Sequence, residues 1–308
     1  MRRRPSRLVR ATAIIAVAVL VVAGCEAKVH GTPPGSAGPH LTVVVPQGTM
    51  APLPEAPPDE PPASFEGLGD RVRRATAEAA AAGADISITV LDRNTGQVVS
   101  NGNAQAMPIA SVVKLFIADD LLLQEARGET KISPDDRRAL DTMLRSSDDS
   151  AAEIFWNRSG GSAVINRVVS RYGLTATSPP YNGKWDLTLS TSGDLVRYYD
   201  MVLDGRGGLP PEQANVIIGN LARSTPTGVD GYPQRFGIPE GLFAEPVAVK
   251  QGWFCCWNGA NQLHVTTGVI EADRRYVMAI GSLQPTDEAT ARATLTQAVK
   301  TMFPGGRI

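Results

Sequence analysis

The chain has 308 residues, 43% hydrophobic and 20% charged, enough apolar material for a sizeable core and too much for a disordered protein. Thirty basic and thirty-one acidic side chains leave a net charge of −1, with no basic tract in the body of the chain, which argues against nucleic acid as a partner. Three cysteines and three histidines are too few, and too scattered, for a zinc site or a disulfide framework.

Residues 1–24 read as a targeting segment. Arg2, Arg3, Arg4, Arg7 and Arg10 form a basic start, and Ala11 to Ala23 is an apolar run broken only by Thr12. That run is shorter than the ~20 residues a spanning helix needs, so it reads as the core of a signal peptide. It ends in Val22-Ala23-Gly24-Cys25, which resembles the bacterial lipobox, in which the cysteine is lipidated and becomes the new N-terminus. The resemblance implies a lipid anchor on Cys25 at the outer face of the cell membrane. Removal of residues 1–24 leaves 25 basic and 31 acidic side chains, a net charge of −6, so lipid rather than charge would hold the protein there. The next segment, residues 25–63, carries ten of the 23 prolines and cannot sustain helices or central strands. It reads as a partly stiff tether.

Residues 64–308 read as one folded domain. Phe65 to Ala82 is alanine-rich with interspersed charges, a helix pattern. Ile86, Ile88 and Val90 alternate with Ser87 and Thr89 as a strand, Arg93-Asn94-Thr95-Gly96 is a turn, and Gln97 to Ser100 returns as a second strand. Ser111 to Leu123 is a strongly apolar helix, followed by mostly helical sequence to about Leu221. Strands return at Val247 to Phe254, Leu263 to Ile270 and Tyr276 to Gly281, and Thr286 to Met302 closes the chain as a helix. Strands at both ends with helices between suggest one sheet assembled from distant segments, with a helical subdomain inserted.

Ser111-Val112-Val113-Lys114 opens the apolar helix, and i, i+3 spacing puts serine and lysine on one face. A lysine among Val112, Val113, Leu115, Phe116 and Ile117 is partly desolvated, which disfavours its ammonium form. A neutral amine beside a hydroxyl can take its proton and make the serine a nucleophile. A second lysine, one of only six in the chain, lies in Val249-Lys250-Gln251-Gly252.

Ser111–Lys114, Ser147-Asp148-Asp149 and Lys250-Gln251-Gly252 resemble, in order, the S-x-x-K, S-D-N and K-T-G motifs of serine β-lactamases and penicillin-binding proteins. The resemblance implies an α/β (α+β), β-lactamase-like fold, with an antiparallel sheet flanked by N- and C-terminal helices and a helical subdomain inserted. It implies Ser111 as acyl-accepting nucleophile, Lys114 as its activating base and Ser147 as proton relay to the leaving nitrogen. Lys250 would supply positive charge for a substrate carboxylate, and the N–H groups of Ser111 and Trp253 an oxyanion hole. Asp149, Gln251, Gly252 and Trp253 are the other expected substrate contacts. The ligands implied are peptidoglycan peptides or β-lactam-like molecules, with no cofactor and no metal.

The departures from the family pattern carry their own expectations. Asp149 stands where the family has asparagine, and a carboxylate facing Lys114 would oppose its use as a base. Gln251 replaces a hydroxyl residue. Ile154 to Trp185 contains no Asp or Glu, and Asp186 resembles the closing aspartate of the loop that in class A lactamases carries the deacylating acid. Poor β-lactam turnover is therefore expected. His264 is the only histidine of the domain and reads as structural, which removes a Ser-His-Asp triad. Cys255 and Cys256 are either a vicinal disulfide or two buried thiols, and Trp253, Phe254 and Trp257 read as core or wall packing, or as a surface that stacks on a sugar or lipid-like substrate. Three functions stay open: a serine acyl hydrolase or transferase acting on peptidoglycan peptides, a catalytically degenerate relative that binds cell-wall material or a partner, and an esterase of the same fold. The arginine- and alanine-rich composition suits a high-GC bacterium such as an actinobacterium.

Overall fold

A computed structural model of the protein describes residues 65–270 and 273–308. The expected targeting segment, Cys25 and the Pro-rich tether lie outside the described residues. Helix α1 (Leu68–Ala81) buries Leu68, Val72, Ala75 and Ala79, spaced about one turn apart along one stripe. Strands β1 (Asp85–Asp92) and β2 (Gln97–Ser100) form the expected hairpin. A two-residue strand, β3 (Met107–Pro108), leads into the segment that carries Ser111.

The spacing predicts one helix from Ser111 onward, whereas the chain makes a 3-10 turn over Ala110–Val113 and only then enters helix α2 (Lys114–Ala126). At three residues per turn, side chains at i and i+3 eclipse, which favours contact between Ser111 and Lys114. Helix α2 is buried from Lys114 to Leu123, around its whole circumference, so its sequence shows no polar face. Helices α3 (Pro134–Arg145), α4 (Asp149–Arg158) and α5 (Ala163–Tyr172) pack around it. Its two buried acids are matched from α5: Arg167 binds Asp120 through two bonds of 2.8 and 2.7 Å, and Arg171 pairs with Asp119. Removing one partner of such a pair would strand a buried charge, so these pairs fix how α5 sits on α2.

A 3-10 turn over Trp185–Leu187 precedes strand β4 (Leu189–Ser190), which pairs with β3. Helices α6 (Ser192–Leu203), α7 (Pro211–Leu221) and α8 (Ile238–Gly241) follow. Strands β5 (Val247–Trp257), β6 (Asn261–Ile270) and β7 (Tyr276–Gln284) are longer than their apolar cores predict. Helix α9 (Glu288–Met302) begins two residues later than predicted, because Asp287 caps it by accepting from the Thr290 N–H at 3.0 Å.

The main sheet is antiparallel in the order β2-β1-β7-β6-β5. One face, with Ile86, Ile88, Val90, Met278 and Ile280, packs under α1 and α9. The other, with Val277, Ala279, Leu263 and Val265, faces the helical layer. With both faces covered, β7 is buried along its whole length and reads as a continuous apolar run rather than an alternating one.

Candidate active site

Three segments bring the expected polar groups together. The 3-10 turn and the start of α2 supply Ser111 and Lys114, the approach to α4 supplies Ser147 and Asp149, and β5 supplies Lys250. Lys114 Nζ lies 2.8 Å from Ser111 Oγ, 3.1 Å from Ser147 Oγ and 2.6 Å from the Ser147 carbonyl oxygen. Lys250 Nζ donates to Ser147 Oγ at 3.0 Å from the other side. Ser147 Oγ therefore lies between two lysine amines.

The backbone holds this arrangement at some cost. Ala110 and Ser147 both adopt positive φ, 46° and 57°, a left-handed region that non-glycine residues enter rarely. Beside Ser147, Asp148 caps α4 by accepting from the Ser150 and Ala151 N–H groups at 2.8 and 3.2 Å. On the other flank, Gly252 of β5 leaves room for the nucleophile segment: a Cβ there would stand 2.5 Å from the Ile109 carbonyl oxygen.

Electrostatics at Lys114 run in two directions. Burial lowers its pKa from the ordinary lysine value, and Asp149 opposes this from 2.5 Å away. The Asp149 side chain is 70% exposed and its charge is screened by water, so burial sets the net direction. Lys250, fully enclosed, is pushed well below the usual range by burial and by the neighbouring Lys114. A neutral Lys114 amine would accept the Ser111 proton across the 2.8 Å contact.

Ser111 opens into a cleft of about 380 Å³ lined by Asp149, Glu153, Trp185, Asp186, Asp230 and Trp253, among others. Asp186, expected as the aspartate that closes its loop, lies in the wall of this cleft with Ser111. The cause is the β3–β4 pairing: Ile109 N–H donates to the Thr188 carbonyl at 2.9 Å, which ties the loop of Asp186 to the nucleophile segment. Burial raises the Asp186 carboxyl, and Asp149 and Glu153 add to the effect. Glu153 and Asp230 also escaped the sequence reading, because they come from segments that no motif marks.

Two expected substrate contacts differ from expectation. Gln251 turns its amide away from the cleft, where Nε2 donates to the carbonyls of Gln234 at 3.0 Å and Phe236 at 2.6 Å. Lys250 is 1% exposed, and its Nζ donates to Ser147 Oγ and to the Gln251 carbonyl, each at 3.0 Å. Trp253 and Phe254 both line the cleft, with Trp253 stacked on Tyr232 at 4.7 Å, whereas Trp257 packs against the core. Cys255 and Cys256 are joined by a disulfide across a cis peptide bond, with Cα atoms 3.0 Å apart. His264 is buried, with Nε2 2.7 Å from the Tyr232 hydroxyl and no place in the cleft. A larger cleft of about 710 Å³ lies between α2 and α5, where Arg158, Arg167 and Arg171 are already paired with Asp136, Asp120 and Asp119.

The fold is that of the serine β-lactamases and penicillin-binding proteins. A class A β-lactamase from Bacteroides cellulosilyticus superposes with a TM-score of 0.63 at 14% identity, covering 77% of this chain and 97% of that one. PBP-A superposes with a TM-score of 0.62 at 17% identity, covering 80% and 96%. No family model matches the sequence. The protein named "Putative lipoprotein LppW" in Mycobacterium tuberculosis, and likewise in Mycobacterium bovis, is 57% identical over 317 residues and covers 100% of both chains. This chain belongs to the LppW lipoprotein family.

Proposed function

We propose that the protein is a membrane-anchored, extracytoplasmic serine acyl hydrolase or transferase that works through an acyl-enzyme on Ser111. The observation that carries this reading is the convergence of Ser111 Oγ, Lys114 Nζ and Ser147 Oγ within hydrogen-bond reach. Lys114 takes the serine proton as Oγ adds to the acyl carbonyl, and the N–H groups of Ser111 and Trp253 stabilise the oxyanion. Ser147, between two amines, relays a proton to the leaving group, and Asp186 is the proposed base for the water that frees the acyl group. Peptidoglycan peptides are the proposed substrates. Poor β-lactam turnover is expected because Ile154 to Trp185 supplies no Asp or Glu for deacylation, which leaves Asp186 at the end of that stretch as the candidate. The lipoprotein name of the relatives and the Val22-Ala23-Gly24-Cys25 sequence support anchoring through Cys25.

The test is intact-mass analysis of the domain after treatment with a neutral fluorophosphonate and, separately, with a fluorescent penicillin at high concentration. The expected result is one adduct on the wild type with at least one probe, and none on Ser111→Ala. No adduct with either probe, from folded protein, would overturn the reaction. The second reading, a binding protein of the same fold, is favoured by the Lys114–Asp149 contact. It predicts equal ligand affinity for wild type and Ser111→Ala.

A further inference from the structure

The cleft at Ser111 is acidic. Of its ten lining residues, four are carboxylates (Asp149, Glu153, Asp186 and Asp230) and one, Lys184, is an exposed cation. Even with the buried amines of Lys114 and Lys250 both counted as charged, acids outnumber cations four to three. Asp149 is engaged by Lys114, but among the described residues Glu153, Asp186 and Asp230 have no ion-pair partner. Among the described residues no arginine lines the cleft.

These groups are held in position. Val229 N–H donates to the Ser146 carbonyl at 2.8 Å, which fastens the Asp230 loop beside Ser147. Asp230 accepts from the Tyr232 N–H at 3.0 Å, and the Tyr232 ring stacks on Trp253. Across the cleft, Glu153 accepts from Trp185 Nε1 at 3.1 Å. Unpaired carboxylates beside two tryptophan side chains form the chemistry that recognises an organic cation, and the Trp185 ring already takes one, Lys114 Nζ, 4.9 Å from its centroid. Among the described residues no three acidic, histidine or cysteine side chains come together closely enough to hold a metal ion, so the complement is a spread charge rather than a point ion. The donors that would hold a carboxylate are turned inward at Gln251 and buried at Lys250.

We infer that this site selects acyl donors that carry an organic cation, an ammonium or guanidinium group, near the scissile bond, among peptidoglycan peptides those with a free side-chain amine there, and rejects donors, peptides cleaved beside their terminal carboxylate included, that carry a carboxylate there. The inference rests on Ser111 as acyl acceptor. Three hippuryl thioesters test it, alike except for the leaving thiol: thiocholine, 2-mercaptoethanol or thioglycolate. Attack by Ser111 Oγ forms the C–O bond and breaks the C–S bond, and the serine proton passes through Lys114 to the departing thiol. Thiol release and intact mass follow acylation, while calorimetry on the inert Ser111→Ala follows binding without chemistry.

The thiocholine ester is expected to acylate about tenfold or more faster than the thioglycolate ester, with the neutral ester between them. The ratio should shrink at high salt and in Asp230→Asn and Glu153→Gln, whose folding is checked by Tm. Ser111→Ala should bind the three esters in the same order. Equal rates and equal affinities, or preference for thioglycolate, overturn the inference while the acyl-enzyme stands. A cation preference in Ser111→Ala with no acylation of the wild type supports the charge selection and overturns the nucleophile instead.

Discussion

Lys114 is drawn toward neutrality by its burial and toward charge by Asp149, and in the proposed mechanism the balance between them sets how readily Ser111 is activated. In Asp149→Asn the stabilising carboxylate is gone, so the ammonium should lose its proton at lower pH. The rising limb of the acylation rate against pH is then expected to move to lower pH, read from adduct formation across a pH series. Asp186→Asn should leave an adduct in place but lengthen its lifetime by tenfold or more, read as the decay of the adduct mass. His264 tests the opposite sign of linkage. Its folded pKa is depressed to about 4 by burial, with Arg292 nearby adding to the effect. Between about pH 6.5 and 4 the unfolded chain therefore binds a proton that the folded one refuses. Stability should fall by about 3 kcal/mol across that window, and His264→Gln should flatten the slope in urea titrations. Ser111, Lys114, Ser147 and Lys250 were legible in the sequence because each lies in a short motif. The inward turn of Gln251 was not, because it depends on the carbonyls of Gln234 and Phe236, which a different segment supplies.

Two of the elements that position the site are very short. The 3-10 turn before α2 and the two-residue pair β3–β4 are below the length at which periodicity can be read, although they bring Ser111 and Asp186 into one cleft. The longer elements were legible for the opposite reason: α1, β1, β7 and α9 carry enough residues to show their period or their burial. Strand β5 shows how tightly an element constrains the site. In Gly252→Ala the added methyl meets the Ile109 carbonyl at 2.5 Å, so β5 and the nucleophile turn must separate. Acylation at Ser111 should fall by at least tenfold while Tm falls only a few degrees, a split that a general loss of folding would not give.

Across the whole molecule, the sheet draws its strands from both ends of the chain, and the helical layer between them carries much of the site. The proposed anchor on Cys25 belongs to this scale as well. Cys25→Ser should move the full-length protein from the detergent phase to the aqueous phase on Triton X-114 partitioning, with adduct formation at Ser111 unchanged.

The sheet order has a consequence in time. Strand β7 is bonded to β1 on one side and to β6 on the other, with Asp85 opposite Leu283. The hairpin made near the start of the domain therefore waits nearly the full length of the domain for its central neighbour. Until residue 284 is available, β1 has an open edge and α1 has no α9 to pack against. Such long-range pairing makes folding slow and leaves the growing chain without a stable intermediate sheet. A domain closed in this way stays open at one sheet edge until its last strand is made, which suits the export proposed above.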